Sequence, residues 1–592
     1  MSGEGPPLGV TRSFSGRPWA WRAEPLDLAA AQVFGADAQA AELLMARGCA
    51  EADVPRLLRP ALRDWLPDPS AFRDMDVAAD RLADAVTRGE AITLFADYDV
   101  DGATSAAILL RTLRAVGGQV DHYVPDRLLE GYGPSTGALM ALRARGTTLV
   151  VLLDCGTHAF AELEAARAAG LDPIVVDHHK AATALPPALA LVNPNRFDEL
   201  ADGGLAAAHR HLCTAGLAFL LAVALVRTLR RRGHFATRPE PSLPALLDLV
   251  ALGTVADVMP LAGLNRVFVA LGLRRLAARA NVGLAALLEV AGLVAPTARD
   301  LGFHLGPRVN AGGRVGTADL GVRLLTTEDP AEARCLAAEL DTLNRERRAI
   351  EAAVTEAALA AADPDAPVVV AAGEGWHPGV IGIVAGRLKE RLGRPAIVIA
   401  RAGEAPAKGS GRSIAGIDLG AAILEAKERG LLLAGGGHAM AAGLTVAADG
   451  IPALAAFLAE RLGPSVGSGP RARPLRIDLA VAPAGLTPAL HAALEAAGPY
   501  GEGWPAPRVA LGPVRLVEAA VTASGGHVRV TGAGPDGARV RAVMFRAAET
   551  PPGAALLGAR GRLVHLAGEV VRNDWQGQAR AELHLDDAAP AD

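Results

Sequence analysis

The sequence predicts an α/β protein: two α/β lobes joined by one long helix, followed by a small all-β barrel. Three observations carry that expectation. From about residue 80, short apolar runs that end in aspartate alternate with helical stretches. Residues 331–362 carry one unbroken amphipathic stripe, and the residues after about 465 turn to alternating strands between glycine-rich turns. Strands alternating with helices imply a parallel sheet, and short alternating strands with turn signals imply a barrel. At 592 residues the chain is too long for one core, so several domains are expected.

The elements follow in order. Residues 1–75 are mixed in character and read as a partly helical N-terminal extension. Residues 76–330 form the first lobe, with strands predicted at "AITLFAD" (91–97), "TLVVLLD" (148–154) and "PIVVD" (173–177) and helices at 103–116, 135–145 and 160–169. In the connecting segment 331–365, Leu336, Leu340, Leu343, Ile350 and Val354 recur at helical spacing. The second lobe, 366–464, begins "PVVVAA" (367–372), continues in a helix over about 379–392, and returns in "PAIVIA" (395–400). A Gly/Pro/Ser-rich linker at 464–474 leads to the barrel domain, 465–592, with strands such as "HVRVTG" and "RVRAVMF".

Composition excludes several classes. The four cysteines are scattered and form no CxxC pair, which argues against a disulfide framework or a zinc knuckle and fits a reducing cytoplasm. The N-terminal residues lack an apolar signal core. The longest apolar run, residues 212–226, falls short of the roughly 20 residues a membrane-spanning helix needs, so a buried core helix is expected and no membrane. Net charge is −5, weak evidence against a nucleic-acid partner, because clustered aspartates can mask a local basic groove.

The chemistry concentrates where strands end. "FADYDVDGATS" places Asp97, Asp99 and Asp101 at every second position. A solvated turn would account for an Asp/Gly cluster alone, and a calcium loop of the EF-hand kind is excluded because Ile108 stands where its glutamate belongs. "LLDCGTHA" adds Asp154, "VVDHHK" adds Asp177, His178 and His179, and a further charged strand end in "ALGTVADVMPL" adds Asp257. In a parallel sheet such side chains meet at the carboxyl edge. Like charges gathered there make sense with cations between them, and carboxylate with imidazole suits Mn²⁺ or a similar ion. Two such ions would activate a water and stabilise a phosphoryl transition state.

"DYDVDGATSA", "DCG", "DHHK" and "GTVADVMPL" resemble, in order, the motifs of the DHH phosphoesterase superfamily, and within it most closely the RecJ exonucleases. The resemblance extends through "PDRLLEGYG", "GPRVNAGGR", "GWHPGVIGIVAGRL", "GSGRS", "GGGHAMAAG", "GPYGEGWPAP" and "RNDWQGQARAELHLDD". It implies DHH and DHH-associated lobes and an OB-like barrel. It also implies that Asp97, Asp99 and Asp154 hold one metal, and that Asp101, Asp154, His178 and Asp257 hold the other, Asp154 bridging. His179 would lie beside the scissile phosphate, with Asp177 orienting a histidine. Arg127, Arg308, Arg314 and Arg412 are candidate phosphate ligands, because guanidinium forks match phosphate oxygens. Asn310 is a phosphate or base contact. Ser410, Gly437 and His438 join them on the reading that "GSGRS" and "GGGH" let backbone N–H groups approach an anion. Arg127, Ser410 and Arg412 would capture the 5′ end, and Tyr132 is either a base-stacking or a packing residue.

The function so implied is a cytoplasmic, monomeric 5′-to-3′ exonuclease on single-stranded DNA. It would release 5′-mononucleotides with two divalent ions, Mn²⁺ or Mg²⁺, in recombination and repair. A single-strand-binding protein or a helicase would supply the strand. The barrel carries few aromatic residues, Tyr500, Trp504, Phe545 and Trp575, so Arg508, Arg515, Arg529, Arg539 and Arg541 are expected to dominate its contacts. "RRRGHF" (230–235) reads as a further basic contact or a helix end. Two alternatives stand beside this reading. A nano-RNase or nucleotide phosphatase of the same superfamily would lack the barrel. A non-catalytic strand-binding scaffold would have lost metal ligands, all of which are filled here.

Overall fold

The computed structural model describes residues 5–23, 32–466, 473–523, 525–575 and 578–591, so the linker at 464–474 lies largely outside them. The chain divides into two units. One comprises residues 67–259 and 271–470; the other comprises the described residues of 1–66, 260–270 and 471–592.

In the larger unit, β1 (Ala91–Ala96), β2 (Gln119–Tyr123), β3 (Leu149–Leu153), β4 (Asp172–Val176) and β5 (Ala190–Val192) form one sheet in the order β2-β1-β3-β4-β5, parallel throughout. β3 is buried along its whole length and β1 along all but its first residue, which is why both read as continuous apolar runs rather than alternating ones. The order reverses between β1 and β3. In a doubly wound sheet that switch point opens the crevice where ligands bind, outside the carboxyl ends of the strands. Asp97 follows β1 and Asp154 follows β3, so the topology alone brings them together.

The apolar run over 212–226 lies in α5 (Thr214–Arg231), a helix buried over most of its length. Asp257 corrects an expectation. It caps the carboxyl end of helix α6 (Leu247–Ala256) rather than ending a strand. The stretch "LVALGTVA" before it holds only apolar, small and hydroxyl residues, and such a run does not distinguish a buried helix from a buried strand. "RRRGHF" is a helix end held by ion pairs: Arg230 to Glu240, and Arg232 to Asp80 and Asp84.

The long helix α8 spans Pro330–Ala361 and buries Leu336, Leu340 and Val354. Beyond it, β6 (Val369–Glu374), β7 (Ala396–Ala402), β8 (Ala405–Arg412), β9 (Ala434–His438) and β10 (Ala441–Val446) form a mixed sheet in the order β9-β10-β8-β7-β6. "GSGR" therefore lies in β8, a central strand hydrogen-bonded on both edges, and "GGGH" lies in the edge strand β9. The expectation that β8 offers free backbone N–H groups to an anion is corrected by this sheet. Its glycines serve close packing: a Cβ at Gly409 would stand 2.6 Å from Leu444, and one at Gly411 2.6 Å from Leu419.

In the smaller unit, β11 (Arg508–Val521), β12 (Val528–Ala533), β13 (Arg539–Met544), β14 (Leu563–Trp575) and β15 (Gln578–Pro590) pair in the order β11-β12-β13-β15-β14. β14 returns to β11 and closes a five-stranded barrel. The chain's first described residues pack on this barrel: Trp19–Trp21 pairs in parallel with Leu475–Ile477, and Ser13 and Trp19 donate to the buried Asp587.

Candidate active site

The turn after β1 is built by its own side chains. Asp99 caps helix α2 (Val100–Ala115), its Oδ1 accepting from Asp101 N at 2.9 Å and Gly102 N at 3.1 Å. A Cβ at Gly102 would collide with the Asp97 carbonyl, so only glycine lets the helix start this close to the strand. Asp154 sits at φ 62°, a left-handed conformation of the kind that collects at functional sites.

Donor atoms converge there in three groups, each within 4.8 Å: Asp97, Asp99 and Asp154; Asp101, His178 and Asp257; Asp154, His178 and His179. His178 Nε2 stands 3.3 Å from Asp154 and 3.4 Å from Asp257. Asp177 is not among the three groups. Its Oδ1 accepts from the backbone of His178 and His179 and from His179 Nδ1 at 2.7 Å, and its Oδ2 accepts from Thr157 N.

Electrostatics separate the ligand-type carboxylates from the supporting one. Burial, then repulsion from Asp99, pushes Asp97 well above the carboxylate range. Burial and the charges of Asp101, Asp99, Asp97 and Asp257 do the same to Asp154. Asp257 is pushed up to about 9 by burial, then by Asp101 and Asp99. Burial works on Asp177 in the same sense, but the hydrogen bond and charge of His179 outweigh it and hold that carboxyl below its ordinary value. Asp97 Oδ1 and Asp257 Oδ2 are buried without a hydrogen-bond partner among the described residues. Carboxylates that repel one another and keep lone pairs unspent, with an imidazole held low by burial beside them, fit hard divalent cations.

A contact that sequence reading missed steadies this cluster. Both oxygens of Asp101 accept from the first turn of α5, from Thr214 N at 2.7 Å and Ala215 N at 2.8 Å. Thr214 Oγ1 donates to Asp154 Oδ1 at 3.1 Å. No local pattern announces a bond between residues 113 positions apart.

Beside the acids lies a group of cations. Arg127 stacks over Tyr98, between Asp97 and Asp99, with its Cζ 4.8 Å from the ring centroid. Arg314, on helix α7 (Gly306–Val315), donates to the Gly379 carbonyl at 3.0 Å. It is pulled down to about 10 by burial, then by Arg127 and Arg347. Arg412 donates to Ser410 Oγ at 3.2 Å and is lowered by burial and by Arg127. Among the described residues, Arg127, Arg314 and Arg412 form no ion pair with a carboxylate. Arg347, not anticipated from sequence, backs them from the long helix and is paired with Glu351 at 2.7 Å.

The remaining expected residues divide. Arg308 is committed elsewhere, donating to Asp341 at 2.9 Å and to the His304 carbonyl at 2.8 Å. Asn310 is half-buried on the same helix. Tyr132 is exposed, its hydroxyl donating to the Asp154 carbonyl at 2.9 Å and its ring meeting His179 edge-on at 5.8 Å, so it is anchored beside the site with a free ring surface. Gly437, at φ 152°, leaves no room for a Cβ against Ala441 and Ala442. His438 is exposed and is lowered by burial, then by Lys180, His179 and His158.

On the barrel, Arg508 is paired with Asp586 and Arg515 donates to Gly561, while Arg529, Arg539 and Arg541 are exposed. Tyr500 and Trp504 bond the carbonyls of Leu494 and Ala497 under Arg47 and Arg266, so they are internal props. Phe545 is exposed between His527 and His584, its ring 5.2 and 4.8 Å from theirs. The Trp575 side chain lies outside the described residues.

Comparison with known proteins follows the same division. Residues 91–254 match the DHH family, N-terminal domain; 365–463 match the DHHA1 domain; and 477–587 match the RecJ OB domain. The single-stranded-DNA-specific exonuclease RecJ of Bacillus subtilis is 35% identical over 560 residues, covering 93% of this chain and 67% of the relative. That of Escherichia coli is 40% identical over 452 residues, covering 73% and 77%. The crystal structure of RecJ in complex with Mn²⁺ from Thermus thermophilus superposes with a TM-score of 0.79 at 32% identity, over 96% of this chain and 79% of that one. The chain belongs to the RecJ family of single-stranded-DNA-specific exonucleases.

Proposed function

We propose that the protein is a metal-dependent 5′-to-3′ exonuclease that removes 5′-mononucleotides from single-stranded DNA in recombination and repair. One observation supports attack beside a phosphate-bearing end; that this end is the 5′ one is what the family resemblance implies. The cations without carboxylate partners stand directly beside the acids, Arg127 lying over the ring of the residue between Asp97 and Asp99. A terminal phosphate held by Arg127, Arg314, Ser410 and Arg412 would leave the next phosphodiester at the acidic cluster.

Asp97, Asp99 and Asp154 would hold one Mn²⁺ or Mg²⁺, and Asp101, Asp154, His178 and Asp257 a second. When bound, such ions supply Lewis-acid activation of water and neutralise charge on the phosphoryl oxygens. The chain does the rest. Thr214 and the first turn of α5 fix Asp101 and Asp154. Asp177 accepts from His179 Nδ1 at 2.7 Å and raises its proton affinity against its burial, an arrangement that would orient the ring to stabilise charge at the scissile phosphate. The enzyme would act as a cytoplasmic monomer on strands supplied by a single-strand-binding protein or a helicase. No helix among the described residues is long and apolar enough to cross a membrane.

The test is a nuclease assay in Mn²⁺ with 3′-labelled, 5′-phosphorylated single strands, blunt duplex and dinucleotide. Stepwise shortening from the 5′ end of the single strand alone is expected. Cleavage confined to the dinucleotide would move the protein to the nano-RNase branch, and tight binding without product would make it a scaffold.

A further inference from the structure

We infer that Phe303, with Arg299 against its ring, is a base-stacking subsite for the single strand on the side of the metal centre remote from the 5′-phosphate pocket. The inference rests on the exonuclease reading above. Residues Leu301–Leu305 form a π-helical turn leading directly into α7, a geometry uncommon in helices and frequent at functional sites. Leu301 and Leu305 are fully buried and anchor the turn, whereas Phe303 between them is 73% exposed. Arg299 is exposed as well, its Cζ 5.7 Å from the Phe303 centroid. A phenyl ring held out on an anchored turn with a guanidinium beside it offers a face for a base and a charge for the adjoining phosphate.

Position decides the occupant. The glycines of this segment trace how closely it passes the centre. A Cβ at Gly302 would lie 3.4 Å from Val255, and one at Gly306 3.2 Å from Ala256, the residue before Asp257. At the other end of α7, a Cβ at Gly313 would lie 2.7 Å from the Tyr98 carbonyl, between Asp97 and Asp99, and Arg314 joins the cationic pocket. The segment thus runs from the phosphate pocket past the acids to Phe303, a path of roughly 15 Å at helical rise. A strand whose 5′ phosphate sits at Arg314 and whose next phosphodiester sits at the acids continues toward Phe303. Val258, immediately after Asp257, is held at φ 58° and is 62% exposed. A β-branched residue in that conformation is the kind of strain that collects around active sites.

The test is the dependence of kcat/KM on strand length in Mn²⁺, from the 5′-phosphorylated dinucleotide upward. It is run for the full-length wild type, Phe303→Ala, Phe303→Leu and Phe303→Trp, with thermal melts to confirm folding. Stopped-flow quenching of 2-aminopurine placed at successive positions is recorded alongside. In the wild type, kcat/KM should rise with length and one 2-aminopurine position should be quenched before turnover. Phe303→Ala and Phe303→Leu should lose that quench and about 5- to 100-fold of kcat/KM on long strands, mostly through KM, while Phe303→Trp retains both. A Phe303→Ala enzyme with the wild-type length profile and quench overturns the subsite, and so does full retention by Phe303→Leu, which keeps apolar bulk without a π face. A wild type that cleaves no single strand overturns the exonuclease reading itself.

Discussion

Two like-charge clusters stand side by side in the larger unit, and they solve the same problem in opposite ways. The acids crowd at the edge of one sheet, where Asp154 and Asp257 are pushed far up and can take protons when no cation is near. The arginines are gathered from a loop, a helix and a strand of the second sheet, and burial lowers Arg314 only to about 10, so they stay charged at neutral pH. A carboxylate cluster can relax by binding protons; a guanidinium cluster relaxes only by binding an anion. On the proposed reading, that difference makes cations the counter-charge of the first cluster and phosphate that of the second.

The sharpest break of this comparison is at Asp154, which belongs to two of the three donor groups. Asp154→Asn keeps size and removes charge. It should lower the cleavage rate by on the order of 10³-fold or more, because the charge stabilisation that bound metal supplies is worth several kcal/mol. Calorimetric titration with Mn²⁺ should show at least one site lost, while the metal-free protein melts no lower than wild type because repulsion is relieved. A variant that cleaves normally would remove Asp154 from the site.

The second cluster is probed by the terminal group of the strand. Arg412→Ala should cut the preference for a 5′-phosphate over a 5′-hydroxyl end by about 10- to 100-fold, the range expected for one charge-assisted hydrogen bond. Rates on hydroxyl ends should change much less. Equal losses on both ends would mean that Arg412 shapes the site rather than reading the phosphate.

The two clusters also differ in how far they could be read from sequence. The acids follow apolar strands within a few residues, so the parallel-sheet rule located Asp97, Asp99, Asp154 and Asp177 without long-range information. Asp257 was identified as a candidate but placed on a strand, because a run of apolar, small and hydroxyl residues hides its own period. The arginine cluster depends on two sheets and two helices meeting, which no local pattern encodes. Arg127, Arg314 and Arg412 were reached only through resemblance, and Arg347 was missed. The glycines of "GSGRS" were credited to anion binding when a central strand already uses their N–H groups. The Thr214 bond to Asp154 was invisible for the same reason as the arginine cluster: it exists only after α5 has packed.

Proton uptake by the acids gives a smaller effect with a definite sign. Asp257 has a folded value of about 9 against an ordinary value near 4, so its contribution to stability is complete below the lower figure. That contribution is lost progressively as pH rises toward the higher one. Metal-free protein should therefore melt several degrees lower at pH 8 than at pH 5.5. Added Mn²⁺, which replaces protons as the counter-charge, should raise Tm more at pH 8 than at pH 5.5. Melting curves with and without Mn²⁺ at the two pH values decide it, and a metal-induced shift that shrinks as pH rises would contradict the assignment of the acids as ligands.

The smallest expected effect refines what makes an arginine a phosphate ligand. Arg308 lies on the same helix as Arg314, in the same motif, and resemblance ranked the two alike. Their surroundings do not. Arg308 is neutralised by Asp341 at 2.9 Å and also donates to the His304 carbonyl, whereas Arg314 has a carbonyl for a partner and three arginines for neighbours. A guanidinium paired with a carboxylate has little free charge to offer a phosphate, and Asp341 keeps a second partner in Arg345 at 3.2 Å, so removing Arg308 does not leave a buried charge alone. Arg308→Ala should therefore change the discrimination between phosphate and hydroxyl ends by less than about 2-fold, and Tm by only a degree or two. Arg314→Ala should match Arg412→Ala. If Arg308→Ala instead costs as much as Arg314→Ala, the Asp341 pair must open when DNA binds. Helix position, rather than the absence of a partner carboxylate, would then be what marks the phosphate ligands of this site.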